Sequence, residues 1–301
     1  MRPAIKTARR PCRRSLLCGA VLLAAGLSLL PVPAAFAAGK VSVLYAGSLV
    51  NLMEHGVGPA FDKASGDRFE GFAGGSSGLA NQIKGKLRPG DVFVSASPKV
   101  NDNLMGAANG DWVSWYITFA QSPLVIGYNA SSQFAADLKS KPWYQVLQEP
   151  GIRLGRTDPK LDPKGALTVT LMKQAEAFYK SPGLSETIIG APDNTAQVLP
   201  EETLVGRLQS GQLDVGFFYS TETADAGIPA IALPAEVALK AVYTVTILHN
   251  APNADGAGKF LAFLLGPGGQ SVMKAHGLDV QKPTLTGAAA SVPKDVQALL
   301  K

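Results

Sequence analysis

The sequence predicts an α/β protein in which two lobes, each a sheet flanked by helices, are joined by two extended hinge segments. Three observations carry that expectation. Short apolar, β-rich runs alternate with helical patterns along most of the chain, the pattern of parallel sheets covered by helices. About 260 residues follow a distinct N-terminal leader, enough for a large core and for two lobes. Two apolar, β-prone stretches, "FAQSPLVIGYN" around Ala120 and "VYTVTILHN" around Thr244, stand where flexible linkers could be. Crossing between lobes, they would make a hinge from strands. The expected division is 38–120 with 246–301 in the first lobe and 121–245 in the second.

The leader comes first. Arg2, Lys6, Arg9, Arg10, Arg13 and Arg14 precede an apolar run from Ser15 to Leu30, and Ala35 and Ala37 supply the small residues of a cleavage site before Ala38. This is the pattern of a secretory signal peptide over 1–37 and predicts a periplasmic protein. "RRSLL" at Arg13 to Leu17 also fits twin-arginine export, although adjacent arginines are common in any basic leader. Cys18 lies near the start of the apolar run rather than at its end, which argues against a lipid anchor. Both cysteines of the sequence, Cys12 and Cys18, fall in the leader. The mature chain therefore has no disulfide, cysteine nucleophile or thiolate metal site. Of 28 Lys and Arg the leader takes six, leaving 22 against 23 Asp and Glu, so the net positive charge gives no support for nucleic-acid binding.

Strands are predicted at "KVSVLYA", "RFEGFA", "DVFVSA", "PLVIGYN", "IRLGRT", "DVGFFYS" and "AVYTVTIL". Helices are predicted over Leu49 to Ser65, Gly78 to Lys86, Pro98 to Asn109, Gly165 to Tyr179, Glu201 to Ser210 and Asp255 to Leu265. "GPGGQ" at Gly266 to Gln270 reads as a helix break followed by a new N-terminus. Short connections and right-handed crossovers then give doubly wound units.

Twice, in "YAGSLVNLM" and in "FAGGSSGLANQI", a strand ends on small residues and serine and a helix opens there. A helix N-terminus exposes unpaired N–H groups at the positive end of its dipole. Small residues let an anion approach the backbone, and a hydroxyl adds a directional donor. Ser48, Ser76 and Ser77 are thus candidate anion donors outside the carboxyl ends of strands. The alternative is that Ser48 and Ser76 cap their own helices. Neither G-x-x-x-x-G-K-[ST] nor G-x-G-x-x-G is present, which argues against a nucleotide.

Other chemistry has less support. His55, His249 and His276 are scattered without metal-type spacing, and Asp158 and Asp162 are a weak basis for a paired-carboxylate hydrolase. Neither serine junction is a G-x-S-x-G elbow. Trp112, Trp115 and Trp143 sit among apolar residues and read as packing.

An ordered set of motifs resembles the periplasmic molybdate/tungstate-binding proteins of ABC importers. "VSVLYAGSLVNLMEHGVGPAFDKASG" resembles the opening of that family, and "FAGGSSGLANQIKGKLRPGDVFVSAS" its next segment. "GRTDPKLDPKG", "LQSGQLDVGFFYSTE" and "LLGPGGQSVMKAHGL" follow in the family's order, with Leu278 in place of a final aromatic. The resemblance implies a type II periplasmic-binding-protein fold with the oxyanion between the lobes and delivery to the permease of an ABC importer. It implies no cofactor, no catalysis and a monomer. Carried over position by position, Ser48 and Ser76, or Ser77, supply donors from the first lobe. Tyr219 donates a hydroxyl from the second lobe, while Lys164 and Glu201 offer backbone N–H groups at helix starts.

Lys164 could alternatively steer anions from the cleft mouth. Some archaeal-type members are thought to add two carboxylates to the metal, an Asp in the "DPxG" turn and a Glu just before the tyrosine. Asp162 matches the first, but Phe218 occupies the second place. The expectation is therefore a tetrahedral anion held by neutral donors, with no side chain bonded to the metal and with Asp162 and the Glu201 carboxylate turned away, since burying them beside an oxyanion is costly. Hydrogen phosphate would be disfavoured and sulfate rejected by cleft size. The alternatives are a binding protein for sulfate or another small anion, and an exported hydrolase.

Overall fold

The computed structural model describes residues 39–300; the expected signal peptide lies outside these residues. Strands β1 (Lys40–Ala46), β2 (Arg68–Gly74) and β3 (Val92–Ser95) form a parallel set. They are followed by the long β4 (Trp115–Tyr128), by β5 (Leu154–Gly155) and β6 (Val215–Tyr219), and by β7 (Ala230–Ala232), β8 (Lys240–Ile247) and β9 (Asp279–Gly287). The strand order is β2-β1-β3-β8-β4-β6-β5, with β7 and β9 also pairing with β4. The runs of the first five residues of β6 and the last four of β1 are wholly buried, as expected of strands covered on both faces.

The sheet is mixed, which the expectation of parallel sheets missed. β3 pairs antiparallel with β8, and β4 pairs antiparallel with β6, β7, β8 and β9. The first part of β4 lies between β8 and β9, and the part from Leu124 onward pairs with β6 and β7. The register between β4 and β8 shifts between Thr118 and Ala120, a bulge that adds local twist where the strand passes from one half to the other. The two stretches read as hinge segments are thus each other's partners, Ala120 opposite Tyr243 and Ser122 opposite Ala241.

The helix expected over Leu49 to Ser65 is broken. It runs as a 3-10 turn Gly47–Leu49, an α turn Val50–Leu52, a π turn Met53–Val57 and an α-helix Gly58–Ser65. Pro59 has no N–H to give back along the helix, and the π turn lies immediately before it. A C-terminal Gly66 at φ 75° ends the segment in the left-handed conformation. The helix Ser76–Lys84 begins two residues earlier than expected, and Pro163–Phe178, Ala254–Leu265 and Pro267–Ala275 fall where the pattern placed them.

The largest apolar cluster joins β1, β4, β6 and β8 to these helices, and within it the Phe61 and Phe260 rings meet edge-on at 5.2 Å. Phe260 also stacks on Phe69 at 5.9 Å. Phe260→Ala should lower stability to chemical denaturation by about 3–5 kcal/mol, the usual consequence of an unfilled aromatic site. Equilibrium urea unfolding measures it.

Candidate functional site

The two serine junctions sit at the ends of neighbouring strands. After β1 the chain turns through Gly47–Leu49, and the buried Ser48 hydroxyl shares a 3.0 Å hydrogen bond with the hydroxyl of Tyr243 on β8. After β2, Ser76 opens its helix fully buried, its Oγ accepting the Ala96 N–H at 3.1 Å just past β3. Neither serine caps its own helix. Both hydroxyls instead join elements across the sheet ends, and Ser77 beside them is half-buried.

Opposite them lie three segments of the other half. Asp162 is the N-cap of the helix Pro163–Phe178. Its Oδ1 accepts the Thr157 hydroxyl at 2.8 Å, the Lys164 N–H at 2.8 Å and the Gly165 N–H at 3.4 Å. Glu201 opens the 3-10 turn Glu201–Thr203 after Pro200. Tyr219 ends β6 and leads into the helix Ser220–Asp225, whose start is tied to β4 by the Ser122 hydroxyl accepting from the Thr221 N–H at 3.1 Å and the Thr221 hydroxyl at 2.8 Å.

Two glycines bring the halves together. A Cβ on Gly47 would lie 2.8 Å from the Glu201 Oε2, and a Cβ on Gly75 would lie 2.5 Å from the Leu161 carbonyl oxygen. In the same place the Gly78 N–H donates to the Leu161 carbonyl at 2.8 Å. On the other flank Asp225 takes hydrogen bonds from the Asn51 amide and from His276 Nδ1, the latter at 2.9 Å. Two grooves, of about 270 and 390 Å³, approach Glu201 from either side.

The centre of this arrangement is buried and charged. Lys164 is wholly inaccessible, with its Nζ 2.8 and 2.9 Å from the Glu222 oxygens and 3.4 Å from Glu201 Oε1. Burial opposes the lysine's charge, but Glu222, Glu201 and Asp162 outweigh it and raise its pKa. Glu201 is raised well above the ordinary carboxylate value, first by burial and then by Asp162, with Lys164 opposing. Glu222 is raised by burial against the pull of Lys164. Burial likewise raises Tyr219 and Tyr243, keeping both hydroxyls as donors.

Among the described residues, six buried side-chain polar atoms lack a hydrogen-bond partner. Four of them belong here: Asp162 Oδ2, Glu201 Oε1, Glu201 Oε2 and the Tyr219 hydroxyl. Native interiors rarely leave such groups unmatched. The two carboxyls adjoin each other, and a proton on Glu201 can be shared with Asp162; the Tyr219 hydroxyl beside them has no protein partner among the described residues.

Several expectations are corrected. Asp162 is not an outward turn residue but is 3% exposed, because its Oδ1 is needed to satisfy the helix start. The Lys164 N–H is taken by Asp162 and is not available to an anion. Its ammonium lies in the interior rather than steering at the mouth. The Glu201 side chain points inward, held against Gly47 and Lys164. Phe218 packs with Val125, Leu204, Leu208 and Leu213, and its ring centroid lies 5.7 Å from the Lys164 ammonium.

Sequence reasoning missed Glu222 and Tyr243. Glu222 had a signal, an acid three residues after Tyr219 at a helix start, and its Oε2 does accept the Tyr219 N–H at 2.7 Å.

Residues 41–279 match the bacterial extracellular solute-binding protein family, and the chain belongs to it. It is similar to an uncharacterized solute-binding protein of Petrotoga mobilis, 29% identical over 87% of this chain and 90% of that one. It is also similar to the molybdate/tungstate-binding protein WtpA of Thermococcus kodakarensis, 27% identical over 78% of each. The periplasmic molybdate-binding protein of Azotobacter vinelandii superposes with a TM-score of 0.61 at 20% identity, over 81% of this chain and 99% of that one. The fold is that of the two-lobed periplasmic binding proteins, and the chain is a binding protein rather than an enzyme.

The raised Glu201 makes stability fall with rising pH. Its carboxyl binds a proton more tightly folded than unfolded, so the stabilisation is complete below the ordinary value of 4.5 and is lost as pH rises through the folded-state pKa. Glu201→Gln should therefore gain stability relative to the parent as pH is raised above 4.5. Urea unfolding at a series of pH values measures the two slopes.

Proposed function

We propose that the chain captures molybdate or tungstate between its lobes and delivers it to the permease of an ABC importer. The lobes are taken as 38–120 with 246–301, and 121–245. The observation that carries the reading is the buried cluster of Asp162, Glu201 and the unpartnered Tyr219 hydroxyl beside the Ser48 and Ser76 junctions. The names of relatives such as WtpA support the same ligand class.

The donors divide by chemistry. Ser48, Tyr219 and Tyr243 offer hydroxyls, and Ser76 (rather than the half-buried Ser77) a fourth, for short hydrogen bonds to anion oxygens. The carboxylates Asp162 and Glu201 cannot face those oxygens without a proton. They can bond a Lewis-acidic metal centre, and molybdenum and tungsten are large enough to expand from four oxygen neighbours to six. Sulfur in sulfate has no such capacity. In this reading Asp162 Oδ2 and a Glu201 oxygen complete the metal's shell in place of a purely neutral, tetrahedral site, a selectivity that does not depend on cleft size alone.

Binding to both lobes favours the closed form, because the open form can satisfy only half of the donors. Export through a signal peptide cleaved near Ala37/Ala38, by the general or twin-arginine route, would place a monomeric protein in the periplasm.

Molybdate and tungstate should each raise the unfolding temperature of the mature protein, and sulfate and phosphate should not. At a hundred times the dissociation constant the gain is about 2.7 kcal/mol. A shift with sulfate alone would change the ligand, and no shift with any oxyanion in ligand-free protein would overturn the reading. Ser48→Ala should weaken molybdate binding by roughly 1–3 kcal/mol through one lost charge-assisted hydrogen bond, measured by titration calorimetry.

A further inference from the structure

Lys164 and Glu222 are not explained by contact with an anion. The Lys164 ammonium is wholly buried and the Glu222 carboxylate nearly so. A buried ion pair of this kind is weak evidence for stability, since apolar replacements of similar volume are often neutral or better. Its connections are more informative.

The Lys164 N–H holds Asp162 through Oδ1, leaving Oδ2 unmatched. Its Nζ stands 3.4 Å from Oε1 of Glu201, while Oε2 is the oxygen set against Gly47 in the Ser48 turn. Its other contacts, at 2.8 and 2.9 Å, grip Glu222, which accepts the Tyr219 N–H at 2.7 Å. One ammonium therefore cross-braces the three segments that present Asp162, Glu201 and Tyr219.

We infer that Lys164 and Glu222 act as a positioning pair, which holds the Glu201 carboxylate and the Tyr219 corner in register so that a carboxylate oxygen reaches the metal of the bound oxyanion and sets the preference for molybdate over sulfate. This inference rests on the proposed ligand class. The pair itself touches no ligand. The ammonium also offsets one of three carboxylates beside an incoming dianion, which lets two ligand carboxylates be buried without a third uncompensated charge.

The test compares the parent with Lys164→Met and with the double variant Lys164→Met/Glu222→Gln, which removes both charges and so keeps a foldable protein if the single change leaves Glu222 stranded. Unfolding temperature, molybdate affinity, sulfate affinity and X-ray absorption of bound molybdate are read for each. The parent should show molybdenum with more than four oxygen neighbours. The double variant should unfold near the parent's temperature, yet bind molybdate at least 10-fold more weakly, with molybdenum returned towards four oxygen neighbours and the molybdate-to-sulfate ratio reduced.

A merely structural pair would lower stability and leave the absorption spectrum of whatever still binds unchanged. Parent-like affinity and spectrum in the double variant would overturn the positioning role while leaving the proposed function intact. Tetrahedral molybdenum in the parent would overturn it as well, and failure of the parent to bind molybdate or tungstate would remove the reading on which it rests.

Discussion

The pairing of β4 with β8 is the constraint on which the rest of the molecule depends. Both strands are buried for most of their length and run antiparallel from Ile117–Val245 to Pro123–Lys240. Everything that meets at the site is attached to them. Ser122 of β4 anchors the helix after Tyr219, and Tyr243 of β8 holds the Ser48 hydroxyl. β3 and β6 hang from their two outer edges. The bulge between Thr118 and Ala120 twists β4 before it takes up β6 at Leu124.

The site that this frame assembles concentrates charge where solvent does not reach. Asp162, Lys164, Glu201 and Glu222 are all at most 7% exposed, and interiors tolerate such groups only when they are paired or coordinated. Here the accounts differ from residue to residue. Glu222 is fully engaged with Lys164 and the Tyr219 N–H. Asp162 caps a helix through one oxygen, and Glu201 lies between the Lys164 ammonium and the Asp162 carboxyl. That gradient separates a carboxylate fully matched by protein from two that lean on each other.

Much of this was legible in the sequence and some of it could not be. β1 and β6 were readable because "KVSVLYA" and "VGFFY" are β-prone apolar runs with turn residues beyond them. β9, which contains Pro283 and alternates half-buried and exposed residues, carries no such signal. The Ser48 and Ser76 junctions and Tyr219 were visible because small residues at a strand-to-helix turn have a local physical meaning. The direction of the Glu201 carboxylate had none: it depends on Gly47, more than 150 positions away in sequence. Lys164 and Glu222 are 58 residues apart, and no periodicity links them. What sequence reasoning got wrong about Asp162 was to weigh only the cost of burying a carboxylate, when its Oδ1 satisfies the start of the helix Pro163–Phe178.

The Gly78 N–H that donates to the Leu161 carbonyl joins the two halves through backbone alone. Such a bond belongs to no side chain and can be neither deleted nor retuned by most substitutions at either position. Where these two segments meet, the fastening lies in the backbone, so the carboxylates, hydroxyls and lysine nearby can be exchanged while the clasp is kept.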